Sequence, residues 1–367
     1  MRLLFLGGAY GSVLAVKCAL AGHKVDVVCR AQEAANINNG RLTIHFPGND
    51  GQSIGVSQCK KNIRGIAPLS VEPSDYALCF LCMQEPQFAD QDIVSLITQL
   101  VSLSIPIISL MNMPLPPYLL GRMGVDLPAA PKIWKNNALW SKLALNSFTA
   151  SSPDPQAIIE ITDDATRVSL TLASNLKVAP FQNQAYQKRL EQLANDVNAL
   201  RVRHQNSAWS RGVRLVTHES PYVPLAKWPM LIAGNFRCVR LASAESIRSA
   251  IWSDLNESKS IYEWVTALCR DLVRTVDKSC DLDQVFVPFD RYANAAQQLT
   301  YPSSVARGLL SGATDVERVD RLIQELADTL NRGSEFIDSV VDLVDEILTA
   351  NRARERSEKA VKSLSSA

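Results

Sequence analysis

The apolar positions change rhythm three times in the first thirty residues. Arg2 to Leu6 is a continuous apolar run without helical spacing, as in a central parallel strand covered on both faces. From Ser12 to Ala21 the spacing becomes helical, with Val13, Val16 and Leu20 placed to pack back onto a sheet, and Gly22 closes the stretch. Lys24 to Cys29 alternates and is rich in valine, so it reads as the second strand of a βαβ unit.

The alternation of strand and helix continues. Ala31 to Asn38 is helical and ends at Asn38-Asn39-Gly40, a stop-and-turn signal. Arg41 to His45 and Ile54 to Val56 are short strands around the loop FPGNDGQ. Asp75 to Leu81 is the next buried strand. Gln87 to Leu103 is its crossover helix, with Ile93, Leu96, Ile97 and Leu100 on one face, and Pro106 to Leu110 is a further strand, ending at Met111-Asn112 and the proline-rich turn MPLPP. This order predicts a doubly wound parallel sheet whose ligands lie beyond the strand C-termini, where Gly8, Arg30, Cys82 and Asn112 all fall. Leu143 to Thr149, Ala157 to Ile161 and Val168 to Leu172 read as strands that extend the sheet in antiparallel fashion, and Gln187 to Leu200 as a helix.

Beyond Trp228 the pattern is helical throughout: Trp228 to Leu241, opened by Pro229, then Ser260 to Val276, Phe289 to Gln298, Asp315 to Arg332 and Ser334 to Ala350. The expected class is therefore α/β, an N-terminal Rossmann-like doubly wound sheet followed by an all-helical C-terminal domain. The boundaries are 1–205 for the nucleotide-binding domain, 206–227 for a linker of poor periodicity, 228–350 for a helical substrate and dimerisation domain, and 351–367 for a frayed tail.

Chemistry enters at the first turn. Gly7, Gly8 and Gly11 sit between a strand and a helix, where a pyrophosphate must approach bare backbone N–H groups at the helix N-terminus. The spacing is G-GxxG, one residue shorter than GxGxxG, but its setting is the one a dinucleotide requires. At the end of the second strand, where an NAD site offers Asp or Glu to the ribose, this chain has Arg30. A guanidinium there suits a 2′-phosphate, so the expected cofactor is NADP(H).

Composition narrows the partners. Of the residues, 47% are hydrophobic and 20% charged, an ordinary globular balance, and the net charge of +1 lacks the basic surplus of a nucleic-acid binder. No secretory signal opens the chain and no apolar run reaches the roughly 20 residues needed to span a bilayer, so the expected location is cytoplasmic, without membrane contact. The 8 cysteines are scattered. Cys79 and Cys82 form a CxxC inside an apparent strand, where i and i+3 point to opposite faces and share no metal or redox role.

The turn GGAYGS, Arg30 after the second strand, NNGRLTI soon after, the asparagine of LMN after the fifth strand and a helical second half together resemble the ketopantoate reductase (2-dehydropantoate 2-reductase) family. The resemblance spans most of the chain and is most specific in its first 45 residues. It implies an NADP-dependent oxidoreductase: NADPH gives a hydride to a small 2-oxo acid while a lysine on the first helix of the second domain protonates the forming alkoxide, in a cleft between domains. It also implies that Asn112 matches the nicotinamide-side asparagine. PSSVARGLLSGATDVE, residues 302–317, echoes the family's serine and glutamate at Ser304 and Asp315.

The family signature W-x-K-x-x-x-N places lysine and asparagine one turn apart on one face. In chain order it falls on WPMLIAGN, which puts Met230 and Gly234 at the two positions, with Lys227 and Asn235 beside them. The letters are met in full by WSKLALN, through Lys142 and Asn146, inside the first domain. Lys142, Lys227 and Asp315 are the candidate proton donors, and Cys82 stands where the family has a lysine for the cofactor phosphate. The alternative is a cofactor-binding protein that has lost catalysis and acts by interaction. In either case the C-terminal helices offer a surface for a homodimer.

Overall fold

The computed structural model describes residues 1–46, 53–127, 130–153, 157–172, 174–200, 202–204, 207–209 and 213–365. Most of the loop FPGNDGQ lies outside them. Two compact units are present, Met1–Asp126 with Lys135–Leu225, and Leu127–Trp134 with Ala226–Ala367.

The described strands, in chain order, are β1 (Arg2–Leu6), β2 (Lys24–Val28), β3 (Leu42–His45), β4 (Ser53–Gly55), β5 (Ile63–Ile66), β6 (Leu78–Leu81), β7 (Ile107–Ser109), β8 (Phe148–Pro153), β9 (Ala157–Ile161), β10 (Thr166–Leu170), β11 (Ser174–Val178), β12 (Val202–His204), β13 (Ser207–Trp209) and β14 (Val213–Thr217). The main sheet has the order β14-β11-β8-β7-β6-β1-β2-β5. From β5 to β8 every pairing is parallel. In chain order those six strands run 3-2-1-4-5-6, the doubly wound arrangement, with the order reversing at β1. Antiparallel β11 and then β14 extend the β8 edge. A smaller sheet, β4-β3-β10-β9, packs on the helices Ala9–Leu20 and Ala31–Asn38.

The continuous apolar runs become strands buried on both faces. Leu3 to Leu6 and Leu78 to Leu81 are all fully buried, and Phe5 stacks on Phe80 across β1 and β6 at 4.6 Å. Burying a side chain of this size contributes about 1.5–3 kcal/mol, so these strands carry much of the unit's stability. Gln91–Ser102 presents the expected stripe Ile93, Leu96, Ile97 and Leu100, and Asp90 caps it by accepting from the Asp92 and Ile93 N–H groups. Near the N-terminal ends of the strands, buried Asp26 accepts from Arg2, Arg64 and Tyr76.

The second unit contains the helices Ile247–Trp252, Leu255–Arg274, Phe289–Ala296, Ser304–Leu310, Val319–Thr329 and Glu335–Ser365, with Ala130–Ile133 packed on Val319–Thr329. Its buried stripes follow the sequence: Val319, Ile323 and Leu326 on one helix, and Ile337, Val341, Val344 and Leu348 on another. Arg318 chelates buried Asp320 and reaches Asp345, a bridge between these two helices.

Several boundaries differ from the sequence reading. The stretch expected as a linker contains β13 and β14, and β14 is the edge of the main sheet. The turn MPLPP opens a helix, Pro116–Met123, because proline's missing N–H is harmless in a first turn. The described part of the stretch expected as a frayed tail is helical: Glu335–Ser365 is one helix, anchored where Asn351 donates to the Leu309 and Ala313 carbonyls. The helix expected over Trp228 to Leu241 breaks into Trp228–Met230, a π turn Leu231–Asn235 and a 3-10 turn Phe236–Cys238.

Candidate active site

Gly7 and Gly8 follow β1 with φ of +62° and +79°, conformations that L side chains rarely adopt. The Gly8 carbonyl accepts the first intrahelical bond, from the Ser12 N–H at 3.0 Å. Helix Ala9–Leu20 therefore starts directly on the glycines, with no side-chain cap and no acidic residue in its first turn. Its N-terminal N–H groups and dipole make that end an anion site.

What lies under the turn is the end of β6. A Cβ on Gly8 would sit 1.9 Å from the Cys82 carbonyl oxygen, and one on Gly7 would sit 2.6 Å from the Met83 side chain. Gly11 meets Cys82 itself, with 2.7 Å to its Cβ and 3.0 Å to its Sγ. Cys82 is buried, its thiol donates to the Phe80 carbonyl, and burial raises its pKa well above the ordinary thiol value. It supports the turn from below, so its protein-facing thiol does not take the place of the lysine that the family pattern has there.

Arg30 follows β2 and opens the helix Ala31–Asn38. Its side chain is exposed and makes no hydrogen bond or salt bridge among the described residues. One turn on, Glu33 is buried and accepts from Ser12 Oγ at 3.4 Å, which ties this helix to the helix Ala9–Leu20. Burial raises the Glu33 pKa, a shift that Arg30 and the Ser12 hydroxyl only partly offset. Gly7, Gly8, Gly11, Cys82 and Arg30 are thus gathered at the C-terminal ends of three adjacent strands, β6, β1 and β2. Asn112 lies in the bend after β7, partly buried, at the same end of the sheet.

The remaining candidates divide. Lys142 is exposed on the turn after the helix Asn137–Trp140, in the first unit. Nearby, buried Glu85 accepts from the Lys135 and Asn136 N–H groups and from Trp140 Nε1, a bonding pattern that orders this loop. Lys227, in the second unit, is only 8% exposed and precedes Trp228. Ser304 is exposed at the start of its helix, whereas its neighbour Ser303 is buried and donates to the Asn235 carbonyl at 2.6 Å. Asp315 accepts from Arg352 at 2.9 Å.

Two residues that sequence reasoning passed over stand out, Ser303 and Arg352. The signal for Ser303 was its position before a helical stripe, that of an N-cap, and it does accept from the Ala306 N–H. Arg352 had no local signal, because its partner lies 37 positions away.

Among the described residues no helix is long and apolar enough to cross a membrane, and no cluster of three or more metal-ligating side chains occurs.

No protein-family model and no curated protein sequence matches the chain. Solved structures do. D-mandelate dehydrogenase, in a ternary structure with NADH and anilino(oxo)acetate, superposes with a TM-score of 0.62 over 96% of this chain and 100% of its own, at 12% identity. A PanE/ApbA family ketopantoate reductase from Ralstonia eutropha JMP134 gives 0.62 at 15% identity, with 96% and 100% covered. A probable 2-dehydropantoate 2-reductase from Bacillus subtilis gives 0.59 at 15% identity, with 95% and 100% covered. The chain has the fold these reductases share, a Rossmann-like sheet followed by helices.

Proposed function

We propose that this protein is an NADP(H)-dependent reductase of a small 2-oxo acid, a divergent relative of the ketopantoate reductases. The observation that carries the reading is the uncapped helix start at Gly8, beside the point where the strand order reverses, with exposed Arg30 at the end of the adjoining strand. Solved proteins of this fold act on such acids with nicotinamide cofactors: the mandelate dehydrogenase was captured with NADH, and the others are ketopantoate reductases.

The backbone at Gly7, Gly8 and Gly11 fits a pyrophosphate, since a Cβ there would fill the turn. Arg30 fits a 2′-phosphate through charge-assisted hydrogen bonds. When bound, the nicotinamide supplies a hydride to the carbonyl carbon. Asn112, at the same strand ends, supplies an amide to hold the ring or the substrate. An acid must then give a proton to the forming alkoxide. Ser304 and Asp315 are the remaining polar groups for substrate recognition, the latter steered by Arg352.

An NADPH-binding titration, run beside NADPH oxidation over a panel of 2-oxo acids that includes ketopantoate and an aryl 2-oxo acid, tests the reading. Tight NADPH binding with turnover of at least one acid is expected. Binding without turnover of any acid would favour a protein that keeps the cofactor site and acts by interaction.

A further inference from the structure

At the end of the first unit's sheet away from the glycine turn, a cleft of about 500 Å³ opens where β1, β2 and β5 begin. Small-molecule pockets run from about 300 to 1,000 Å³, so the space suits a ligand. A doubly wound sheet takes its usual ligands beyond the C-terminal strand ends, and this cleft is a separate place.

The strand register explains its charge. Arg2 pairs with Lys24 and Asp26 with Arg64, and successive side chains alternate, so these four share one face of the sheet. Their neighbours Leu3, Val25, Val27 and Ile63 point the other way and are buried. Parallel strands are ordinarily apolar on both faces, whereas here one face begins with a polar cluster. Lys60 and Lys61, in the turn before β5, add two more cations to the lining.

Cations outnumber carboxylates. Buried Asp26 accepts from Arg64 Nε, from Arg64 Nη2 at 3.2 Å and from Arg2 Nη2 at 3.0 Å. Asp75 takes Arg2 Nη1 at 2.5 Å. Five cations thus face two carboxylates, a surplus of three. Lys24 is also fixed, since its Nζ donates to the Lys61 carbonyl at 3.0 Å and to Asn62 Oδ1 at 2.9 Å, while the Asn62 amide donates to the Ala19 carbonyl. Among the described residues, the Lys60 and Lys61 ammonium groups and Arg64 Nη1 have no partner. One buried carboxylate therefore sets two guanidinium groups in place, with lysines beside them whose charge nothing offsets.

We propose that this cleft binds a small anion carrying two or more phosphate groups. Each phosphate group brings about 1.5–2 negative charges at pH 7, so two of them match the surplus. The Arg64 guanidinium offers its remaining N–H groups to phosphate oxygens, and Lys24, Lys60 and Lys61 act as point charges around them. No described residue of the lining is aromatic, so the cleft recognises the phosphates and stacks no base.

The test is calorimetric titration of the full chain with tripolyphosphate, orthophosphate and citrate at about 0.15 M salt, where the Debye length is about 8 Å. The 5-residue strand β1, at roughly 3.3 Å per residue, puts the glycine turn about 16 Å away, so changing the cleft lysines leaves an ion at that turn unaffected. Tripolyphosphate is expected to bind at least about tenfold more tightly than orthophosphate or citrate. Lys60→Gln with Lys61→Gln, and separately Lys24→Gln, are expected to weaken it at least about tenfold while the ligand-free melting temperature stays at the parent's. Absence of tripolyphosphate binding overturns the proposal. So does binding that the lysine variants leave unchanged, which would place the ion at the glycine turn. Citrate binding as tightly as tripolyphosphate would show selection for charge alone and end the phosphate assignment. Single-stranded RNA or anionic vesicles held more tightly than tripolyphosphate, and by the same lysines, would make the cleft part of a polyanion surface and overturn it as well.

Discussion

Gly11 and Cys82 occupy one space from opposite sides: a Cβ on Gly11 would lie 2.7 Å from the Cys82 Cβ and 3.0 Å from its Sγ. Gly11 is also absent from the positive-φ residues, so its backbone accepts a side chain once space exists. Gly11→Ala is therefore expected to weaken NADPH binding at least about tenfold, and Gly11→Ala with Cys82→Gly to recover most of it. Gly8→Ala is expected to lose binding without rescue, because its clash is with the Cys82 carbonyl and its φ is +79°. A fluorescence titration of NADPH reads all three. An unaffected Gly11→Ala would show that the turn tolerates displacement and that its glycines are not set by this contact.

Arg30 sets the expected cofactor preference. A guanidinium bonded to a phosphate contributes about 1.5–3 kcal/mol, so NADPH should bind about ten- to a hundredfold more tightly than NADH, and Arg30→Ala should remove most of the difference. Equal affinities in the parent protein would overturn this.

The first βαβ unit was legible because each signal is local: apolar run, glycine turn, helical stripe and valine alternation all lie within thirty residues. The edge strands β11 and β14 were not, since VRLVT and SNLKV carry charge and polar residues and gain their place only by pairing with each other and with β8. In the second unit, α-helical spacing would set Met230 and Gly234 on one face, and no sequence rule announces a π turn. The trace it left is Gly234, a glycine inside a helical pattern, whose cause is a tyrosine 58 positions on. Lys227 was named from its neighbourhood, and its burial needed the fold.

Asp26 gives the first unit an acid limit. Burial disfavours its charge, but hydrogen bonds from Arg64, Tyr76 and Arg2 outweigh that and hold its pKa below the ordinary carboxylate value. A depressed folded pKa means stability that is complete above the unfolded value, about 3.9, and lost as pH falls through the folded one. Asp26→Asn is expected to cost about 1.5–3 kcal/mol at neutral pH, and its denaturation midpoint should differ less from the parent's as pH falls below 4. Parallel curves across that range would contradict the assignment.

Glu33 works in the opposite direction. Its folded pKa is raised, chiefly by burial, so the folded state holds its proton more tightly and stability declines as pH rises from the ordinary glutamate value, about 4.3, towards the folded one. Glu33→Gln keeps an acceptor for Ser12 and removes the buried charge. A higher melting temperature than the parent at pH 7, with the gap closing at pH 4, is expected from thermal melts. A lower melting temperature at pH 7 would mean that the Arg30 charge outweighs desolvation.

The C-terminal helix should be divisible at Asn351. Asn351 is buried, and its amide donates at 2.9 Å to two carbonyls, those of Leu309 at the end of the helix Ser304–Leu310 and of Ala313 just beyond it. Leaving buried carbonyls unsatisfied costs about 1–3 kcal/mol, so Asn351→Ala should destabilise the protein by that amount in denaturant titration. Past Arg354 the described side chains are exposed and their bonds stay within the helix, such as Lys359 to Glu355 at 2.8 Å, an exposed i,i+4 pair worth a few tenths of a kcal/mol. Ending the chain after Glu355 is therefore expected to leave the midpoint within about 0.5 kcal/mol of the parent. Ending it after Ala350 should cost at least as much as Asn351→Ala, because it also removes Arg352 from Asp315 and from the Thr314 carbonyl. If both truncations behave alike, the anchor lies elsewhere on the helix, and the apolar stripe from Ile337 to Leu348 holds it unaided.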